Sequence, residues 1–158
     1  MLKRMIEKDI RMHASLTLHL SPTLPNAKVL SEFRTDAGWD QETDALRGGL
    51  WPGSQVEWAL VRAGQKTVGI ARLELARPQF CYVSELVILK SHRGRGIGEW
   101  FMRQIELHCC KIGIPRVLLQ PKDDARAFYE KLDFVSDPLV AGFMKKEIAP
   151  QRRRMLPF

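Results

Sequence analysis

An α/β fold, a mixed and mostly antiparallel sheet flanked by helices, is predicted by three features of the chain. Strand-like runs follow one another between Gln55 and Leu89, joined by tight turns. Two later segments carry apolar residues at helical spacing. Between the last of those strands and the first of those helices lies a glycine-rich turn, Arg93-Gly94-Arg95-Gly96-Ile97-Gly98. Strands and amphipathic helices in this order bury their apolar faces by layering helices on a sheet.

Residues 1–14 are polar and without a clear period, and are read as an N-terminal arm. The alternation Leu16-Thr17-Leu18-His19-Leu20 predicts a strand, and Ser21-Pro22-Thr23-Leu24-Pro25 interrupts it. Asn26 is placed to cap a helix with apolar positions at Ala27, Leu30, Phe33 and Ala37, ending at Gly38. A loop and a short helix are expected to about Leu46. Val56–Val61 and Thr67–Leu75 flank Arg62-Ala63-Gly64-Gln65-Lys66, a hairpin turn, and Ala76-Arg77-Pro78-Gln79 returns the chain into Phe80–Leu89, giving a three-stranded meander.

Ile97, Phe101, Ile105, Cys109 and Ile112 then share one face of a helix ended by Gly113. Val117-Leu118-Leu119 reads as a short buried strand. Asp123 or Asp124 is expected to cap a helix carrying Ala125, Phe128, Tyr129 and Leu132. Phe134-Val135 and Phe143–Ile148 are the last strands. The domain is thus placed at 15–149, followed by a basic tail at 150–158.

Composition narrows the class of protein. The chain has 158 residues, 45% hydrophobic and 27% charged, as expected of one globular domain. It shows no secretory h-region and no run of membrane-spanning length, so a cytoplasmic location and no membrane partner are expected. Cys81, Cys109 and Cys110 are odd in number and lack C-x-x-C spacing, and the histidines are scattered, so no metal site is expected; Cys81 in a strand and Cys109 on the apolar side of a helix read as core thiols. The net charge of +7 suits an anionic partner, either nucleic acid or a phosphorylated cofactor. No strand interleaves aromatics with Lys or Arg, so nucleic acid is not expected.

The glycine-rich turn reads as an anion site suited to a phosphate, the alternative being a plain strand-to-helix turn with two solvated arginines. After a strand and before a helix, unpaired backbone N–H groups converge and the helix dipole adds positive charge. Glycine there permits positive φ and close approach by a bulky pyrophosphate, while Arg93 and Arg95 add charge. No G-x-x-x-x-G-K-[ST] occurs, which excludes a Walker loop, and the mid-chain position after antiparallel strands argues against a dinucleotide fold.

Two separated motifs resemble one family. Arg93, Gly96 and Gly98 match the [RQ]-x-x-G-x-[GA] signature of the GNAT N-acetyltransferases, and Ala125-Arg126-Ala127-Phe128-Tyr129-Glu130-Lys131-Leu132-Asp133-Phe134 is similar to their A-x-x-F-Y-E-K-x-G-F segment. The resemblance runs from about Leu16 to Ile148. Asp133 stands where the family has Gly, in a turn where positive φ is wanted and Asp is tolerated. Lys122 stands where a cofactor-contacting Asn is frequent.

The resemblance implies the GNAT fold, acetyl-CoA as cosubstrate, and acetyl transfer to a primary amine by direct attack. It implies cofactor contacts at Val87, Ile88, Arg93, Gly94, Arg95, Gly96, Ile97, Gly98 and Lys122, with a backbone N–H of Val87 or Ile88 polarising the thioester carbonyl. Tyr129 matches the family's general acid, its ordinary pKa of about 10 keeping it protonated. Glu85, a charge in an apolar strand near the expected acetyl position, is the candidate base, with water the alternative; Glu57 and Glu74 are weaker candidates. The acids Asp36, Asp40, Glu42 and Asp44 around Trp39 lie on the family's acceptor side, and Asp36, Trp39 and Asp40 are expected to bind the substrate and favour a small cationic amine. A protein amine is the other acceptor class, a homodimer is in keeping with the family, and an idle acyl-CoA-binding module is the competing function.

Overall fold

The computed structural model describes residues 15–38 and 51–148. The N-terminal arm, the segment with Trp39, Asp40, Glu42, Asp44 and the short helix expected to Leu46, and the basic tail lie outside the described residues.

The order is β1 (Leu16–Ser21), α1 (Ala27–Ala37), β2 (Gln55–Ala63), β3 (Lys66–Ala76), β4 (Phe80–Ile88), α2 (Ile97–Lys111), β5 (Arg116–Leu119), α3 (Arg126–Lys131), β6 (Val135–Ser136) and β7 (Met144–Glu147). The strands form one sheet in the order β1-β2-β3-β4-β5-β7-β6. β4 and β5 pair in parallel and the other neighbours pair antiparallel, so the sheet is mixed and mostly antiparallel as expected. β1 joins β2, which extends the expected three-stranded meander to four strands.

Both faces of the sheet are covered. Leu30 and Phe33 of α1 pack with Trp58, Ile70, Val87 and Leu89. Phe101, Ile105 and Cys109 of α2, with Tyr129 of α3 and Phe134, pack with Ala59, Val61, Ala71, Leu73, Cys81 and Val83. Alternate residues of one strand enter different clusters, as the two-residue period of a strand requires. A strand covered twice loses the polar-out alternation, so β3 is buried continuously from Val68 to Leu75. Cys81 and Cys109 are buried as expected, and the Cys81 thiol is pushed well up by its hydrogen bond with Cys109 and by burial.

The helix ends follow local chemistry with one exception. Asn26 Oδ1 accepts from the Lys28 N–H at 2.8 Å, and Gly38 closes α1 at φ 69°. Asp133 adopts φ 69° just past α3, so the turn written with Gly in the family motif survives with Asp. The exception is the start of α3: Asp123–Ala125 form a 3-10 turn and the α-helix begins at Arg126 without a side-chain cap, so neither Asp123 nor Asp124 caps it.

Candidate active site

The site begins where two strands part. β4 pairs with β5 only from Cys81 to Val83, opposite Val117 to Leu119; β5 then ends while β4 continues to Ile88. Past this point a cleft of about 870 Å³ opens between Ser84–Ile88 on one wall and Gln120, Pro121 and Lys122 on the other. Beyond Val83 the β5-facing edge of Ser84–Ile88 therefore has no neighbouring strand among the described residues.

A bulge shapes the first wall. Ile70 stands opposite Val87 and Arg72 opposite Ser84, so Ala71 faces two residues, Glu85 and Leu86. Glu85 takes up the extra residue at φ 52°, a strained conformation for a side chain of its size. The bulge reverses the alternation beyond it, which places Val87 in the cluster beneath α1. Glu85 lines the cleft half-buried, and burial raises its carboxyl above the ordinary range against the opposing influence of Arg34 and Arg72.

The glycine-rich loop closes one end. Gly94 and Gly96 take φ 73° and 78°, and Gly96 leads into α2. Gly98 serves packing: a Cβ there would lie 3.3 Å from Phe128 Cζ. Gly94, Gly96, Ile97 and Gly98 all line the cleft, although the Ile97 side chain is core. Arg93 lines it too, with Nε donating to the Ile88 carbonyl at 2.8 Å and its guanidinium 3.6 Å from Asp36 Oδ2. Arg95 is not among the lining residues.

Tyr129 and Lys122 line the cleft together with Val87 and Ile88. The Tyr129 ring sits edge-on to Phe128 and Phe134, with centroids at 5.0 and 5.7 Å, and burial pushes its hydroxyl up to about 12. Glu57 and Glu74 are absent from the lining. Glu57 Oε2 lies 3.0 Å from His108 Nε2 of α2. Glu74, fully buried, accepts from Trp51 N–H at 2.9 Å and Ser54 Oγ at 2.7 Å, with Arg72 at 3.5 Å. Asp36 lines the cleft, but its carboxylate is engaged by the Lys90 N–H at 2.8 Å as well as by Arg93. Sequence reasoning missed the buried Arg34 and Arg72; the latter had a visible signal, its two-residue spacing from Glu74 inside an apolar strand.

Residues 54–136 match the family model described as Acetyltransferase (GNAT) domain, over half of the chain. The chain belongs to the GNAT acetyltransferase family. Its GNAT fold is shared by Tetrahymena GCN5, at 18% identity and TM-score 0.66, covering 85% of this chain and 97% of that one. A GNAT family acetyltransferase from Elizabethkingia anophelis, solved with acetyl-CoA bound, is 12% identical with TM-score 0.63 over 84% and 98% of the two chains. The ribosomal-protein-S18-alanine N-acetyltransferase from Escherichia coli is 15% identical with TM-score 0.60 over 90% and 100%. A search of curated proteins found no match. Among the described residues of this GNAT chain, no helix is long and apolar enough to cross a membrane, and no His, Cys, Asp and Glu group could hold a metal.

Proposed function

We propose that the protein transfers acetyl from acetyl-CoA to a primary amine by direct attack. The observation that carries this reading is the cleft between the parted strands, closed at one end by the glycine loop and walled by Tyr129 and Glu85. The pyrophosphate would lie at the loop, where helix N-terminal N–H groups and Arg93 offer positive charge. The pantetheine arm would pair with the backbone of Ser84–Ile88, and the N–H of Val87 or Ile88 would polarise the thioester carbonyl. Lys122 offers a cation from the facing wall.

In the reaction the amine lone pair attacks the thioester carbon, the C–S bond breaks, and the ammonium proton must leave. Glu85, its carboxyl raised by burial, accepts that proton directly or through water, and Tyr129 gives its hydroxyl proton to the departing thiolate. With a hydroxyl held at about 12, Tyr129 stays protonated throughout the physiological range.

The preference for a small cationic amine rests on Asp36, whose Oδ2 also meets Lys90 and Arg93, and on Trp39, Asp40, Glu42 and Asp44, which lie outside the described residues. A thiol-release assay across cationic, neutral and acidic amines and a peptide N-terminus tests the reading. Release of coenzyme A that depends on an amine, fastest with a cationic one, is expected. Binding of acetyl-CoA without release for any amine would leave an idle acyl-CoA module, and a faster acidic acceptor would remove the charge preference.

A further inference from the structure

Asp36 sits in the last turn of α1, where the negative end of the helix dipole disfavours an acid. What offsets that cost comes from the turn after β4. Lys90 opens the 3-10 turn Lys90–His92, and the residue before it, Leu89, has no side chain able to cap it. Asp36 Oδ2 supplies the missing acceptor, taking the Lys90 N–H at 2.8 Å from 54 positions away in sequence. The same oxygen lies 3.6 Å from the Arg93 guanidinium, and Arg93 in turn donates to the Ile88 carbonyl. One carboxylate thus joins the end of α1, the turn after β4 and the first residue of the glycine loop. Thr35, Asp36, Ala37 and Gly38 also line the cleft, so the joined helix end is itself part of its wall.

We propose that Asp36 is a positioning residue, a remote cap that holds the turn at Lys90 and the Arg93 side chain in the geometry acetyl-CoA requires, and that ties the wall formed by α1 to the cofactor loop. The inference rests on reading the cleft as the acetyl-CoA site, and it assigns Asp36 a role other than attracting the acceptor. The two roles differ in sign. By charge alone, deleting a carboxylate beside an anion site tightens anion binding. Deleting a cap loosens the loop and weakens it.

The experiment compares wild type with Asp36→Ala and Asp36→Asn. Calorimetric titration with acetyl-CoA should show affinity reduced about ten-fold in Asp36→Ala, the scale of one charge-assisted hydrogen bond. Asp36→Asn keeps an oxygen for the Lys90 N–H and should recover most of that affinity. Hydrogen exchange on the ligand-free proteins should show faster exchange at 90–93 in Asp36→Ala, with the β2–β3 hairpin unchanged. Wild-type affinity or better in Asp36→Ala, or unaltered exchange at 90–93, overturns the proposal. Failure of the wild type to bind acetyl-CoA counts against the acetyltransferase reading alone, because the exchange measurement judges the cap without ligand.

Discussion

At Gly96 the backbone is left-handed, φ 78°, in the turn that lines the cleft. Gly64 has φ 60° in the β2–β3 turn, away from the cleft, with open space around its missing Cβ. Alanine at either position should cost about 1–2 kcal/mol of stability from the same steric source. Only Gly96→Ala should also weaken acetyl-CoA binding, and thermal melts with and without ligand separate the two effects. Tyr129 carries a second expectation. Tyr129→Phe keeps the ring against Phe128 and Phe134 and removes the proton, so kcat should fall about 10²- to 10⁴-fold with acetyl-CoA affinity nearly unchanged. Steady-state kinetics and calorimetry test this split. The same residue makes stability depend on alkaline pH. Folded Tyr129 holds its proton up to about 12, whereas the unfolded chain releases it near its ordinary 10, so the folded state binds more protons in between. Stability therefore falls as pH rises from 10 to 12, by about 2–3 kcal/mol from this group. Denaturant unfolding should show a shallower fall in Tyr129→Phe; a residual slope is expected because burial also raises Tyr82.

Among the elements, β3 and β4 show how far pattern reading reaches. Helical periods placed α1 and α2, and Gly38 and Gly113 marked their ends, because those signals lie within a few residues of each other. The bulge at Glu85 was not legible: it depends on pairing with β3, and the apolar run Leu86–Leu89 hides the reversed alternation that a polar residue would have exposed. The start of α3 was misplaced for a related reason. Acidic residues before an apolar period resemble a cap, but the backbone makes a 3-10 turn first, closed by Ala125 N–H to the Lys122 carbonyl at 2.9 Å. Glu74 was visible as a charge in an apolar strand but not as the acceptor for a segment twenty residues earlier. Glu74→Ala should cost about 3–5 kcal/mol, since Arg72 loses a buried counter-ion and Trp51 and Ser54 lose their acceptor. Chemical denaturation measures that loss, and a change below about 1 kcal/mol would mean that water replaces the carboxylate there.

Across the whole molecule, sequence reading succeeded where a feature is local and failed where distant segments meet. The glycine loop and the segment ending at Phe134 could each be read alone. Their convergence on one cleft depends on β5 stopping at Leu119 while β4 runs on to Ile88, a mismatch of strand lengths that no local pattern states. Asp36 illustrates the same limit: its neighbours in sequence gave no sign of the backbone donor and the guanidinium to which folding brings it. The parting of β4 and β5 also bears on variation among relatives. A wall that offers main-chain donors and acceptors offers the same groups whatever side chains it carries, provided that the strand path is kept. Side-chain changes along Ser84–Ile88, Glu85 excepted, would then leave the main-chain groups of that wall in place. The fold shared with the Tetrahymena, Elizabethkingia and Escherichia chains at 18% identity or less is accordingly a likeness of chain path and not of side chains.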